Sequence, residues 1–312
     1  KKYCFTLIDV PKPQRSLLKI PLFLINLLTS IIRSILFLKK EKFNIVISTG
    51  GYMSFPICLV SLFFKKEIIL FEPNQVLGRF NKIMIKYSKK IICYHENLKN
   101  FPKQYKYKIE KVDNLLKKEI YDFKINKKVL GRKLNLLVLG GSQGALFFDD
   151  IIHYLLSELQ TKYEINLQQQ VFDKENFQKL DERYKKLKIK FNLFSFTNNL
   201  SNIINNSNFI ITRCGASALS EISYFNIPFI AVPFPHSKDN HQFYNAKKYE
   251  EMNCCWLYEQ NDEFKNKIVS LFNKLIKNDI EYKTKINNLQ KFSYQNTWNN
   301  INVKLIGLIN EH

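Results

Sequence analysis

Two doubly wound α/β domains in tandem, with a cleft between them, are the fold class that this 312-residue sequence predicts. Short apolar runs alternate with helical patterns, which is typical of a parallel sheet covered by helices on both faces. The alternation stops at a polar, basic stretch, KINKKVLGRK (124–133), and then starts again. With 46% apolar residues, a chain of this length can fill two cores.

The elements of the first half follow from apolar runs bounded by polar or glycine-containing segments. Strands are predicted at 43–49, 67–72 and 91–95, and the first of them ends in Gly50-Gly51. Helical patterns lie between them at 56–64 and 78–90. Strand, helix and strand in succession form right-handed crossovers, so we expect these strands to be parallel neighbours.

The second half repeats this alternation. Its strands are predicted at 134–140, 165–170, 189–194, 209–212 and 229–234, and its helices at 145–160, 174–187, 198–206, 216–225 and 240–251. We therefore expect an N-terminal domain over 1–123, a linker over 124–133 and a C-terminal domain over 134–295. Residues 296–312 are predicted to form a helix that packs back toward the first domain.

Composition excludes several classes of function. The net charge of +21 reflects lysine spread along the whole chain, without an arginine-rich run or a basic stretch interleaved with aromatics, so no nucleic-acid partner is expected. The six cysteines contain no C-x-x-C pair and the five histidines show no ligand spacing. We expect no metal, no cofactor and a reducing cytoplasmic location.

Residues 17–38, LLKIPLFLINLLTSIIRSILFL, form the most apolar segment. Lys19, Pro21 and Arg33 within it weaken the interpretation as a membrane-spanning helix. A helix buried on one face and a helix lying on a membrane surface remain as alternatives. Lysines at 39, 40 and 42 favour contact with an anionic surface.

The segment LGGSQGA (139–145) leads from a predicted strand into a helix. Its glycines allow an anion to approach the backbone closely, and the N–H groups and dipole of the helix N-terminus favour phosphate. Tight strand–helix packing is the alternative reason for such glycines.

RCGASALSE (213–221) repeats this arrangement after the strand predicted at 209–212. Two helix N-termini in one domain suit a diphosphate better than one phosphate. Glu221 lies about one turn into the helix, where a carboxylate can accept hydrogen bonds from the vicinal diol of a ribose. A first-turn glutamate stabilised only by the helix dipole is the alternative.

PFPHSKDNHQFYNA (233–246) is a loop that leads into a third helix. Asp239 or Asn240 is the predicted N-cap, and His241, Gln242 and Asn245 project polar groups from the first turn. Uncharged donors and acceptors at this density match sugar hydroxyls. The second domain is therefore expected to bind a nucleotide sugar.

These three segments resemble, in order and spacing, those of the MurG family. STGGYMSFP (48–56) is similar to that family's GGYVSGP loop, and FEPNQVLGRFN (71–81) to its HEQN-x-x-x-G-x-x-N segment. The resemblance runs from about residue 10 to the end. It implies a GT-B glycosyltransferase fold with two Rossmann-like domains, at the cytoplasmic face of the inner membrane. It also implies an inverting transfer of N-acetylglucosamine from UDP-N-acetylglucosamine to the muramoyl C4 hydroxyl of lipid I, which forms lipid II for peptidoglycan.

The resemblance also assigns expected roles residue by residue. Ser142 would contact the donor diphosphate, Glu221 the ribose, Thr197 the uracil through its backbone, and Gln242 with His241 the sugar hydroxyls. Tyr52 and Glu72 fall at positions associated with acceptor binding or catalysis. The remaining expected donor contacts are Asn74, Lys117, Gln143, Gly144, Gly215, Ala216, Ser217 and Ala218.

Several positions depart from the family pattern. VDNLLKKEI (112–120) stands where the family has GNP-x-R, so Lys117 replaces an arginine and loses its two-pronged geometry. Phe55 replaces a glycine and Phe71 a histidine, both on the acceptor side. We therefore expect weaker diphosphate binding and altered handling of the acceptor.

The family's N-terminal strand and GGTGGH loop have no counterpart in this sequence, which begins Lys-Lys-Tyr. If these residues were the whole polypeptide, we would expect poor donor binding and no transfer. A related glycosyltransferase with a diacylglycerol acceptor and an inactive nucleotide-sugar-binding protein are the alternative functions.

Overall fold

The computed structural model describes residues 5–13, 16–41, 43–293 and 297–310, with the side chains of Leu17 and residues 142–146 also left out. The chain divides into two compact units, Lys1–Asp113 and Asn114–His312. This division comes earlier than the boundary expected at residue 123. The reason is that Ile120 is buried in a hydrophobic cluster of the second unit.

The first unit is built on a parallel sheet with strand order β1-β2-β3-β4. The strands are β1 Ile45–Ser48, β2 Glu67–Glu72, β3 Lys90–Cys93 and β4 Ile109–Lys111. The helices are α1 Ile20–Lys40, α2 Phe55–Phe63 and α3 Arg79–Met84. The three predicted strands are present, and β2 has the predicted bounds. Strand β4 was not predicted, because its three residues, IEK, are too short to show a pattern.

The second unit contains a parallel sheet with strand order β10-β9-β8-β5-β6-β7. The strands are β5 Lys133–Leu139, β6 Glu164–Gln170, β7 Lys190–Phe194, β8 Phe209–Thr212, β9 Phe229–Ala231 and β10 Cys255–Leu257. The chain leaves β5 first toward β7 and then returns to the other side at β8. In such sheets the crevice outside the carboxyl ends at this reversal is where ligands bind.

Helices cover this sheet on both faces. They are α4 Lys118–Tyr121, α5 Gly141–Leu159, α6 Lys174–Lys185, α7 Leu200–Asn206, α8 Ala216–Tyr224, α9 His241–Glu251, α10 Phe264–Lys277, α11 Ile280–Ser293 and α12 Trp298–Asn310. The predicted α/β class with two parallel-sheet, Rossmann-like domains is confirmed. In α10, Phe264, Ile268 and Leu275 are buried at helical spacing, a pattern that the sequence analysis did not use.

The C-terminal helix α12 belongs to the second unit. Its Trp298 ring lies 5.9 Å from the ring of Tyr121, centroid to centroid. Ile301 and Leu308 are its buried residues. The expectation that this helix packs back toward the first domain stays a prediction.

A buried carboxylate lies in the core of the second unit, behind the carboxyl end of β6. Asp149 Oδ1 accepts a hydrogen bond from Gln169 Nε2 at 3.0 Å, and Gln169 Oε1 accepts one from the Tyr184 hydroxyl at 2.7 Å. Within the described residues, Asp149 Oδ2 has no hydrogen-bond partner. Burial, and secondly the charge of Asp150, raises the pKa of Asp149 to about 6.

We expect Asp149→Asn to stabilise the protein at pH 8. Because the pKa in the folded protein lies above the ordinary 3.8, the stability that this carboxyl contributes is full below about pH 4 and is lost as the pH rises through 6. Removing the charge should raise the free energy of unfolding at pH 8 by on the order of 2 kcal/mol, with no gain at pH 4. Urea unfolding at both pH values measures this.

The matched control is Asp150→Asn, at an exposed neighbour paired with Arg183 on the surface. It should change stability by less than about 1 kcal/mol at either pH. Equal effects of Asp149→Asn at pH 4 and pH 8 would contradict the assignment of a charged, poorly solvated carboxyl at Asp149.

Candidate active site

Three helices of the second unit begin at the carboxyl edge of its sheet, beside the point where the strand order reverses. Helix α5 follows β5, α8 follows β8 and α9 follows β9. The N-cap residues of α5 and α8 are Gly140 and Gly215, which have no side chain to bind the first-turn N–H groups. These N–H groups and the positive dipole ends therefore remain available to an anion.

The loop after β5 requires glycine at one position. Gly141 has φ +62°, a left-handed conformation that other residues adopt only with strain. A Cβ atom at this position would meet no atom within 4 Å, so the backbone lies open. The predicted contacts Ser142, Gln143 and Gly144 are in the first turn of α5, but their side chains lie outside the described residues.

A cavity of about 260 Å³ lies between these helix N-termini. Its lining combines the glycines of two loops with polar and apolar side chains from the neighbouring strands, helices and loops: Leu139, Gly140, Gly141, Gln170, Leu200, Thr212, Arg213, Gly215, Ala218, Phe234 and Gln242. Of the residues that the sequence singled out, this cavity brings together Gly215, Ala218 and Gln242. Because the glycines that line the cavity have no side chain, their backbone is accessible to a ligand.

A larger cavity, about 1130 Å³, lies at the opposite edge of the sheet, where β5 and β6 begin. Its lining includes Gln160, which follows the last residue of α5, and Lys277, which ends α10. Helix C-termini present carbonyl oxygens and negative dipole ends, which disfavour phosphate. The smaller cavity is therefore the better candidate for an anionic ligand.

Glu221 lies in the second turn of α8, six residues after Gly215, and is half-buried. Burial raises the pKa of its carboxyl, and the positive charge of Lys117 partly offsets this. Lys117 is exposed and forms the N-cap of α4. The structure thus brings two predicted donor contacts, an acid and a base, into electrostatic contact within the second unit.

Gln242, in the first turn of α9, connects two loops of the site. Its Oε1 accepts hydrogen bonds from the backbone N–H groups of Cys214, at 3.2 Å, and Phe234, at 3.0 Å. Its amide nitrogen donates to no residue that the structure describes, and the side chain lines the cavity. Gln242 is therefore placed to donate to a ligand while its oxygen holds the loops.

The N-cap of α9 is one of the two predicted residues, but the expected capping hydrogen bond is not formed. Asn240 occupies the N-cap position, but its side chain accepts no hydrogen bond from the first turn. Asp239 and Asn240 both have left-handed backbones, with φ of 52° and 55°, whereas a capping residue is normally extended. His241 Nδ1 lies 2.8 Å from the Lys238 carbonyl oxygen, so its ring is directed back to the loop.

Three further predicted donor contacts lie at the carboxyl edge of this sheet. Thr197 follows β7, and its Oγ1 accepts a hydrogen bond from Asn199 N at 3.0 Å. Ala216 and Ser217 open α8, with Ser217 exposed.

Arg213 belongs to this site, although no role for it was predicted from the sequence. Its side chain is 5% exposed and lines the cavity. Its guanidinium donates to the carbonyl oxygens of Val232 and Pro233, at 3.3 and 3.1 Å, and to Gln260 Oε1 at 2.7 Å. The available signal was a charged residue directly after the apolar strand FIIT. Burial lowers the pKa of Arg213 to about 10, which leaves it protonated at neutral pH.

Aromatic rings surround the Arg213 guanidinium. Its carbon lies 5.2 Å from the ring centre of Phe147, 4.8 Å from that of Phe148 and 5.6 Å from that of Phe234. Cation–π attraction of this kind is strongest where water is excluded. Arg213 therefore connects the loops after β8, β9 and β10 with the start of α5.

The predicted acceptor-side residues lie in the first unit. Tyr52 opens a short 3₁₀ helix, Tyr52–Ser54, directly after the Gly50-Gly51 turn. Glu72 ends β2 and is buried, and Asn74 donates to it from the following loop.

Sequence comparisons identify the family. The model of the glycosyltransferase family 28 C-terminal domain matches residues 135–299, and that of its N-terminal domain matches residues 1–93. The UDP-N-acetylglucosamine--N-acetylmuramyl-(pentapeptide) pyrophosphoryl-undecaprenol N-acetylglucosamine transferase of Pelagibacter ubique is 40% identical over 100% of this chain and 87% of its own length. The chain belongs to the MurG family. A Wolbachia pipientis relative of the same name is 33% identical over 91% of this chain and 81% of its own length.

Solved structures have the same fold as this MurG family member. A crystal structure of MurG from Acinetobacter baumannii superposes with a TM-score of 0.71, at 19% identity, covering 98% of this chain and 84% of the other. A UDP-GlcNAc 2-epimerase from Neisseria meningitidis bound to UDP-GlcNAc superposes with a TM-score of 0.60, at 12% identity, covering 96% and 84%. The GT-B fold inferred from the sequence motifs is thus confirmed.

Proposed function

We propose that this protein transfers N-acetylglucosamine from UDP-N-acetylglucosamine to the muramoyl C4 hydroxyl of lipid I, with inversion, and so forms lipid II. The observation that carries the proposal is the full-length identity of 40% to a relative named for this reaction. The cavity at the helix N-termini supports the proposal, because its N–H groups can bind the diphosphate of a nucleoside diphosphate sugar. No cofactor takes part in the proposed reaction.

The donor would lie across the carboxyl edge of the second unit. Its diphosphate would accept hydrogen bonds from the first turns of α5 and α8, with Ser142, Gln143, Gly144, Gly215, Ala216 and Ser217 around it. Glu221 would accept hydrogen bonds from the ribose diol, Thr197 would meet the uracil, and Gln242 with His241 would hold the sugar. Lys117 would add positive charge beside Glu221, and Asn74 is a further proposed donor contact.

The reaction needs a base and a stabilised leaving group. A base removes the proton of the acceptor hydroxyl as its oxygen attacks the anomeric carbon. The bond from that carbon to the diphosphate oxygen breaks, and its electron pair leaves with UDP. Preorganised N–H groups at the α5 and α8 N-termini would stabilise the charge that develops there. Tyr52, beside the Gly50-Gly51 turn, is the proposed acceptor-side contact.

Product analysis tests the proposed acceptor. The complete enzyme, given radiolabelled UDP-N-acetylglucosamine, should label lipid I and leave diacylglycerol unlabelled. Labelling of diacylglycerol would instead support the related glycosyltransferase. Calorimetric binding of UDP-N-acetylglucosamine without labelling of either lipid would indicate an inactive nucleotide-sugar-binding protein.

Helix α1 is the proposed contact with the cytoplasmic membrane surface. It is the helix in the described residues that is long and apolar enough to cross a membrane, and only 11% of its apolar window is buried. Its buried residues are Ser30, Ser34 and Leu38, whereas most of its leucines and isoleucines are exposed, among them Leu22, Leu24, Ile25, Leu28, Ile32 and Leu36. Such an apolar face next to the C-terminal Lys39 and Lys40 suits shallow insertion into an anionic leaflet. Lys42 lies outside the described residues.

Replacing Leu22, Leu28 and Leu36 together with serine should reduce association with anionic vesicles at least about 10-fold. These leucines are each 59 to 62% exposed, so the change removes apolar surface without opening a core. Flotation with liposomes measures the effect. Val303→Ser, at a residue 71% exposed in the second unit, is the matched control and should float normally. Unaltered flotation of the triple variant would contradict the membrane contact.

A further inference from the structure

The carboxylate of Glu72 is buried in the first unit, and both of its oxygens accept hydrogen bonds there. Glu72 is 3% exposed. Its Oε1 accepts hydrogen bonds from the backbone N–H of Asn74 at 3.2 Å and from Asn74 Nδ2 at 3.0 Å. Its Oε2 accepts from the backbone N–H of Gly78 at 2.8 Å and from Asn81 Nδ2 at 3.0 Å. Four donors use the four lone-pair positions that a carboxylate offers.

The partner Asn81 is even more deeply buried, at 1% exposure, on α3. Its Nδ2 also donates to the Phe71 carbonyl oxygen at 3.2 Å, so the orientation of its amide is determined. The amide group lies against Gly50, where a Cβ atom would lie 3.0 Å from Oδ1, 3.1 Å from Nδ2 and 3.2 Å from Cγ. Within the described residues, Oδ1 itself has no hydrogen-bond partner. Gly50 has φ +82°, so glycine is required there for its conformation and for this contact.

Gly78, like Gly50, lies where an added side chain would crowd a neighbouring group. A Cβ atom at Gly78 would lie 3.1 Å from Glu72 Oε2. Gly78 has an extended backbone, φ −62° and ψ 147°, so its conformation alone does not require glycine. The absence of a side chain at Gly78 is therefore explained by the close approach of its N–H to Glu72.

We propose that Glu72 and Asn81 form a buried brace that positions the Gly50-Gly51 turn, and with it Tyr52, for the acceptor. Glu72 is then a positioning residue, and a different group is the base. A general base must reach the proton that it removes, whereas both Glu72 oxygens are buried and already accept hydrogen bonds. The brace connects the end of β2, the loop after it and α3 to the turn after β1. The proposal rests on the transferase function proposed above.

Glu72→Gln and Asn81→Ala test the brace in the complete enzyme. Glu72→Gln places an N–H where two donors converge, and Asn81→Ala removes the amide that faces Gly50. Each should lower kcat/KM for lipid I about 10- to 100-fold with the pH dependence of kcat unchanged, and Asn81→Ala should leave the KM for UDP-N-acetylglucosamine unchanged. The double variant should be little worse than the poorer single variant, because both remove one unit.

A milder variant keeps the test valid if these substitutions prevent folding. Gly78→Ala adds a methyl group against Glu72 without removing a hydrogen-bonding group, and it should lower kcat/KM for lipid I about 3- to 10-fold. Gly131→Ala in the second unit, where an added Cβ meets no atom within 4 Å, is the matched control and should retain full activity.

Hydrogen exchange provides a readout that does not depend on transfer. Amides of residues 49–54 should exchange at least about 10-fold faster in Glu72→Gln and Asn81→Ala, and amides of the second unit should not. Unchanged exchange at 49–54 would overturn the brace, whatever the activity. Loss of the acidic limb of the pH profile in Glu72→Gln, with normal activity of Asn81→Ala, would also overturn it and assign Glu72 as the base. Absence of transfer by the parent enzyme would refute the proposed function while the exchange result still decides the brace.

Discussion

Replacing Glu221 with alanine should raise the KM for UDP-N-acetylglucosamine about 30- to 100-fold. The proposed pair of hydrogen bonds from the ribose hydroxyls to a charged acceptor contributes about 2–3 kcal/mol, which corresponds to this factor. As the pH is lowered, the KM should rise when Glu221 becomes protonated. Because burial raises the pKa of Glu221, this rise should begin at a higher pH than it would for a solvent-exposed glutamate. Initial rates at varied donor concentration and pH measure both effects.

Two variants control this measurement. Glu221→Gln keeps one acceptor oxygen but loses the charge, so its KM should lie between those of the parent and the alanine variant. Glu158→Ala removes an exposed carboxylate from the far end of α5 and should leave the KM unchanged. An unaltered donor KM in Glu221→Ala would refute the ribose assignment.

Arg213→Met should destabilise the second unit by about 3 kcal/mol and weaken UDP binding. The substitution leaves two buried carbonyl oxygens and the half-buried Gln260 oxygen without their donor. It also removes the cation from among three aromatic rings. Urea unfolding followed by tryptophan fluorescence reports on this unit, because Trp256 and Trp298 both belong to it.

Arg213→Lys separates charge from geometry. Lysine keeps the positive charge but cannot donate to three acceptors from one rigid plane, so it should recover only part of the lost stability. Arg132→Met, at an exposed position of the same unit, is the matched control and should unfold like the parent. A parent-like urea midpoint for Arg213→Met would show that the loops do not depend on this side chain.

Local pattern predicted the elements that are bounded by clear signals. β2 and β8 have the expected residues, because each is a compact apolar run with polar or glycine neighbours. β4 and β10, with three residues each, are defined by pairing with a neighbouring strand, which a local pattern does not contain. The helix expected at 78–90 ends at Met84, and Lys90 already begins β3.

The candidate site was predicted to the extent that it depends on backbone. Glycines at strand–helix turns imply anion-binding helix N-termini, and Gly140 and Gly215 are indeed N-caps. Roles that arise from long-range contacts were not predictable. Arg213 binds carbonyl oxygens about 20 residues away along the chain and Gln260 farther on, so its sequence neighbours do not indicate them. Only the structure shows that both oxygens of the Glu72 carboxylate accept hydrogen bonds from groups of the first unit.

Calorimetric titration with UDP, UMP and uridine tests whether a nucleoside diphosphate is held by the helix N-termini of the second unit. UDP should bind at least about 10-fold more tightly than UMP, and UMP more tightly than uridine, because each phosphate gains N–H donors at α5 and α8. Arg213→Met should reduce the difference between UDP and UMP. Equal affinities for UDP and uridine would contradict the account.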